Sequence, residues 1–462
     1  MFSLLIAALS LAPIDAALHA PTLRGAHVGV LAVDTATSAV LYAHNADDDF
    51  VPASTFKLIA GSAALDRLGP QYTYDTEVDA SGEIDNGKLR GNLYLRGGGD
   101  AELQAADLDA AAAAVSAAGV RHVDGSLLGD ASRYDAPRYP PGWAIDDLPY
   151  GYAAVPGALL LGDGVAHVQV LPGAWVGAPT HLEVATRSDA FSFENDAVTG
   201  AAGSPDTTDL RRSWDLPTLI RVVGSYPLGA RASDDLEPAV PDPAAYALDV
   251  FRQALLRHGV SVGAVGTGTV PANAHPLWTH ASEPFARLLA DCWQPSDNLL
   301  AEQFLLALGA RSPIAGTFDT RARGIAAEQQ WLGSIGVDPH TLTIADGSGL
   351  SAYDRATPRS LVAILQHDWN GPQRTTIEDA LPLAGVRGTL EHTFVGTPLA
   401  GAVYAKTGSV NHSRLLAGFL QRRDGGTVTF AIMVNDWMDE SPGAAEALDA
   451  VRAAILTVLR GD

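Results

Sequence analysis

Lysine is almost missing from this chain: of 30 basic residues only Lys57, Lys88 and Lys406 are lysines, and the rest are arginines. Set against 53 acidic residues, this gives a formal net charge of −23. Such a surface repels phosphates and anionic headgroups, which excludes nucleic acid as a partner. A single cysteine, Cys292, excludes an intrachain disulfide and a multi-cysteine metal site. Its neighbours Leu288, Leu289 and Trp293 mark it as a buried small apolar residue. The 13 histidines contain no His-Glu-x-x-His pattern, so metal-dependent peptidase chemistry has no signature. Gly97 to Gly99 is followed by no Gly-Lys-Ser/Thr and reads as a bend, not a phosphate loop. Beyond the N-terminus no run is apolar and long enough to form an integral membrane span. No fixed-period repeat or low-complexity tract is present, and no metal or cofactor is expected.

What is present belongs to a folded chain of two or three packed units: 462 residues, 47% hydrophobic and 18% charged. Residues 2–14 form an apolar run followed by small-residue sites ending at Ala16, Ala17 or Ala20. Residues 1–20 therefore read as a signal peptide, although no Lys or Arg precedes Arg24, and a periplasmic or otherwise extracytoplasmic location is expected. His27 to Asp34 and Ser38 to His44 read as a hairpin. Pro52 and Ser54 open a helix closed by Gly69-Pro70. Near the other end, Val403 to Lys406, Leu415 to Gln421 and Thr427 to Asn435 read as strands, and Gly443 to Arg460 as an amphipathic helix. The fold class is α/β (α+β): one antiparallel sheet built from both chain ends, with the helical text around Phe285 to Leu308 and Pro358 to His367 packed against it. Residues 21–72 and 275–462 form that unit. Residues 73–274, with short strands and helices over Ala105 to Ala118 and near Ala244 to His258, form an insertion of two β-rich subdomains.

Three short motifs stand in order: Ser54-Thr55-Phe56-Lys57, Ser296-Asp297-Asn298 and Lys406-Thr407-Gly408. Ser54 and Lys57, three apart at a helix start, share a face, so the amine can take the hydroxyl proton during attack on a carbonyl carbon. The free N–H groups at that helix end favour the developing oxyanion. Lys57 has to be neutral to do this, against an ordinary pKa of about 10.4. A second ammonium about 4 Å away, at an effective dielectric near 20, costs about 4 kcal/mol, or about three pKa units. Lys406 is placed to supply that push, which gives an arginine-rich chain a reason to keep two lysines. Ser296 relays a proton to the leaving amine and Asn298 bonds the substrate amide. Gly408 lets a peptide approach the strand edge, and the Thr407 and Ser409 hydroxyls beside Lys406 suit a substrate carboxylate.

The ordered set is the signature of serine β-lactamases and penicillin-binding proteins. Ser54 and Ser296 lie too far apart for a class A β-lactamase, and the insertion accounts for the gap. Leu95 to Asp100, Pro141-Gly142-Trp143, Asp346 to Ser351 and Leu381 to Gly385 extend the likeness over nearly the whole mature chain. The sequence resembles the three-domain, low-molecular-mass (class C) penicillin-binding proteins of the D-alanyl-D-alanine carboxypeptidase/endopeptidase family. That resemblance implies a serine D,D-peptidase acting on peptidoglycan stem peptides, acylated by β-lactam antibiotics at Ser54. The alternatives are a β-lactamase or esterase of the same fold and a non-catalytic peptidoglycan-binding scaffold. It also implies a side-chain pocket in which Asp147 and Tyr152 meet the stem's amino group and apolar part. Where relatives carry an Arg after Ser-Gly-Leu-Ser this chain has Ala352, with Arg355 as a substitute, and Asn411 stands where relatives often carry an amide or larger residue. Asp346-Gly347-Ser348-Gly349 lacks the Gly-x-Ser-x-Gly elbow and reads as a turn shaping the site.

Overall fold

The computed structural model describes residues 11–213, 215–233, 236–314, 319–438 and 441–461. Both chain ends meet in one five-stranded antiparallel sheet. Its strands are β1 (His27–Asp34), β2 (Val40–His44), β3 (Val403–Val410), β4 (Ser413–Gln421) and β5 (Thr427–Asn435), in the spatial order β3-β4-β5-β1-β2. Alternate side chains of these strands face opposite ways, and both faces are covered. Leu31, Val33, Leu415, Ala417, Ala431 and Met433 lie in one core, whereas Val30, Ala32, Leu416, Phe430 and Ile432 lie in another. Burial on two sides is why these strands read as nearly continuous apolar runs.

The helices of this unit include α1 (Ala12–Leu18), α2 (Lys57–Leu68), α3 (Phe285–Trp293), α4 (Asn298–Arg311), α5 (Thr320–Ser334), α6 (Pro358–Asn370) and α7 (Ala444–Arg460), with a short helix Arg374–Ala380 after α6. α2 is the central one, with every residue from Lys57 to Leu65 buried. Gly61 admits the Trp293 ring so closely that an added Cβ would meet it at 2.6 Å. α1 and α7 cover the other face. Residues 1–10 of the expected leader lie outside the described residues. Within α1, Ile14 is fully buried and the Asp15 carboxylate accepts a 2.7 Å hydrogen bond from the Tyr42 hydroxyl. No described helix is long and apolar enough to cross a membrane.

The insertion has its own core around a seven-stranded mixed sheet and the packed helices Ala105–Ala117 and Pro243–Arg257. A three-stranded sheet and two strand pairs, between Val168 and Pro227, build its smaller part. Its far boundary differs from the expected 274. His275–Ala281 pairs antiparallel with Asp75–Ala80, so the inserted sheet runs through Ala281 before the chain returns to α3. That strand is mostly exposed, and its few inward residues give little sequence signal of which sheet it joins.

Candidate active site

Ser54 lies on a 3-10 turn, Ala53–Phe56, that runs directly into α2. Two neighbours hold this turn in place. Gly408 of β3 passes so near that an added Cβ would stand 2.9 Å from the Pro52 carbonyl and 3.1 Å from the Thr55 amide. Gly349, at φ 78°, abuts the Ala53 carbonyl with no room for a side chain. Ala53 itself has φ 45°, a left-handed conformation that costs energy for a residue with a Cβ and that recurs where geometry is set by function.

Lys57 is fully buried, and its Nζ lies 2.8 Å from Ser54 Oγ, 2.5 Å from Asn298 Oδ1 and 2.8 Å from the Ser348 carbonyl. A neutral amine has two hydrogens and one lone pair. Asn298 and Ser348 offer the two acceptors, which leaves the lone pair for the Ser54 hydroxyl. Asn298 is held in turn, its Nδ2 donating to the Tyr152 carbonyl at 2.7 Å. Across the site Lys406, also fully buried, donates to Ser296 Oγ at 2.8 Å and to the Thr407 carbonyl at 3.0 Å. Ser296 has φ 72°. It is set there by Asp297, which caps α4 by accepting from the Leu300 amide at 2.6 Å.

Burial is the first cause of the low pKa of both lysines. This revises the argument from a second ammonium. For Lys57 the charges of Asp346, Asp297 and Glu302 oppose burial. The Cys292 thiol would do so as a thiolate, but burial pushes its pKa far up, so it stays neutral. Lys406 is held well below the ordinary lysine range, by burial first and then by the Lys57 cation. The repulsion is mutual, so the two amines do not both stay charged easily.

Ser54, Ser296, Asn298, Ser409, Asn411, Asp147 and Tyr152 line one cleft of about 810 Å³. Lys57 and Lys406 lie beneath its surface. Thr407 shares a 2.7 Å hydrogen bond with the Thr389 hydroxyl, a residue the sequence did not single out. Pro382 and Ala384 pair with the first residues of β3, while Ser409 and Val410 farther along face the cleft. Tyr152 donates to Asp147 Oδ1 at 2.9 Å. Arg355 lies beside the cleft, bonded to a residue that lines it. Its guanidinium donates to the Ala352 and Asp354 carbonyls, and the cleft-lining arginine is Arg414, whose guanidinium carbon lies 5.2 Å from the centre of the Trp437 ring. Position 414 belongs to a separate strand, so no local pattern pointed to it. Ser348 Oγ is buried on the Asp346 carboxylate, in keeping with a structural turn. Trp143 donates to the same carboxylate at 2.8 Å, a packing role.

One serine hydroxyl lies against a buried amine, and the same cleft holds a second hydroxyl bonded to another buried amine. The chain matches the D-Ala-D-Ala carboxypeptidase 3 (S13) family over residues 10–455. It is 37% identical over 457 residues to the D-alanyl-D-alanine carboxypeptidase of Actinomadura sp. (strain R39), covering 96% of this chain and 84% of that one. It is 24% identical over 425 residues to a D-alanyl-D-alanine carboxypeptidase of Haemophilus influenzae, covering 90% and 86%. The crystal structure of penicillin binding protein 4 from Haemophilus influenzae superposes with a TM-score of 0.87 at 24% identity, over 97% of this chain and 99% of that one. A second structure of that protein, complexed with a β-lactam, gives 0.82 at 22% identity over 98% and 99%. This chain belongs to the D-Ala-D-Ala carboxypeptidase 3 (S13) family, and by that membership it is a serine-type D-alanyl-D-alanine carboxypeptidase.

Proposed function

We propose that this chain cleaves the D-alanyl-D-alanine bond of peptidoglycan stem peptides outside the cytoplasm, through an acyl-enzyme on Ser54, and that β-lactams acylate the same hydroxyl. The observation that carries this reading is the 2.8 Å contact between Ser54 Oγ and a fully buried lysine amine. The stem peptide lies along β3 as an added strand, bringing the penultimate D-Ala carbonyl to Ser54 at the start of the α2 turn. Lys57 takes the Ser54 proton as the Oγ–C bond forms, and the oxyanion develops against the positive end of that turn. Ser296, held by Lys406, passes its proton to the departing amine as the C–N bond breaks and takes in its place the proton that Lys57 received, so both return to their starting state. Water then attacks the ester and restores Ser54. Thr407 and Ser409 bind the terminal carboxylate. Asp147 and Tyr152 meet the amino group of the stem side chain, with Asn411 on the cleft wall. Arg355 is no longer needed as the substitute cation, because Arg414 lines the cleft.

A synthetic stem peptide ending in D-Ala-D-Ala is expected to release free D-Ala with the wild-type chain, and none above background with Ser54→Ala. Release that persists in Ser54→Ala would overturn the assignment.

A further inference from the structure

Behind the catalytic lysine lies a group of buried charges that the proposed reaction does not use. Glu302 stands one helical turn after Asn298 on α4 and is fully buried. Its Oε1 accepts the amides of Gly347 at 2.8 Å and Ser348 at 3.0 Å. The carbonyl of that same Ser348 accepts Lys57 Nζ. Asp346 closes the loop from the other side by accepting the amides of Ser348, Gly349 and Ser351. The remaining Glu302 oxygen has no hydrogen-bond partner, with Arg321 Nε 3.8 Å away. Taking a carboxylate out of water costs several kcal/mol, so its two amide bonds are a costly way to brace a loop unless the loop has a task.

We infer that Glu302 is a positioning residue for acylation: by holding the Gly347 and Ser348 amides it fixes Ser348, whose carbonyl takes one Lys57 hydrogen and turns the amine lone pair toward Ser54. Asn298 and Glu302, on successive turns of one helix, thus fix the two hydrogens of the base, one directly and one through the loop. The inference rests on the assignment of Ser54 and Lys57 as nucleophile and base.

The charged groups facing Glu302 are Arg321 and Glu328 on α5, Asp346 and Asp354 on the loop strand side, and Lys57 on α2. Burial pushes the Glu302 carboxyl up to about 7, and in its ionised form it raises the Lys57 pKa. Removing the charge while keeping an acceptor therefore lets Lys57 lose its proton at lower pH. The test measures benzylpenicillin acylation rates from about pH 6 to about pH 9 for the wild type, Glu302→Gln and Glu302→Ala. Rates are referred to the molecules that finally carry adduct, so unfolded protein does not count. Glu302→Gln is expected to keep its plateau within about threefold of wild type, with the midpoint of the rising limb lowered by about half a unit. Glu302→Ala, with both amides orphaned, is expected to lose about tenfold or more at the plateau. A Glu302→Ala plateau within about twofold of wild type would overturn the inference. So would a Glu302→Gln variant that falls as far as Glu302→Ala with its midpoint unmoved. A wild type that takes no adduct at Ser54 would instead sink the reading beneath it.

Discussion

At the scale of single residues, the chemistry is concentrated in two buried amines whose surroundings treat them differently. Lys57 has three polar partners and nearby carboxylates, whereas Lys406 has a hydroxyl, a carbonyl and a neighbouring cation. Because burial depresses both pKa values, the rising limb of activity with pH reports Lys57 losing its proton. Lys406→Gln is expected to slow acylation by about tenfold or more, through the lost Ser296 contact, and to move the midpoint of the limb upward, because a repelling cation is gone. An unmoved limb in a pH-rate profile would leave Lys406 with its Ser296 contact and no part in lowering the Lys57 pKa. The motif residues were legible because their spacing alone puts Ser54 over Lys57, and the scarcity of lysine marked the pair. Glu302, Thr389 and Arg414 were not, since each acts through a partner distant in the chain.

Among the elements, those with an ordinary apolar pattern were legible and those with polar interiors were not. β4, β5 and α7 fall within two residues of their expected bounds. α5 went unnoticed because its buried side includes Thr320, Arg321, Gly324 and Glu328, which supply no apolar period. The start of the 54–68 helix also differs in detail: a 3-10 turn precedes α2, tightened by the close passage of Gly408 and Gly349. α1 bears on the processing expectation. Cleavage after Ala16, Ala17 or Ala20 would detach Ile14 from its buried position against the α7 side of the sheet. If α1 is part of the working fold, Ile14→Ala is expected to cost about 2 kcal/mol or more in denaturant unfolding. A change under about 0.5 kcal/mol would show that the helix contributes nothing and that a cut beyond it is harmless.

For the molecule as a whole, the insertion is part of the site and not an ornament on it. The cleft takes Ser54, Ser296 and Ser409 from the unit built by the chain ends, and Gly142, Asp147 and Tyr152 from the inserted segment. Hydrogen bonds tie the two together beside the reacting atoms: Asn298 to the Tyr152 carbonyl, Ser351 Oγ to the Pro141 carbonyl, the Ala352 amide to the Gly142 carbonyl and Trp143 to Asp346. A change of texture at residue 73 is what suggests an insertion in the sequence. It did not show that this insertion supplies one wall of the cleft, because those contacts join positions up to more than two hundred residues apart.

The central claim is that Ser54, activated by Lys57, is the acylated residue. Intact-mass spectrometry after incubation with benzylpenicillin tests it most directly, followed by peptide mapping. One adduct per chain on the Ser54 peptide is predicted for the wild type. Ser54→Ala is predicted to carry none, and Lys57→Arg, which keeps the charge but cannot serve as a base, none at near wild-type rate. An adduct at another residue, or one forming in Lys57→Arg as fast as in wild type, would contradict the account.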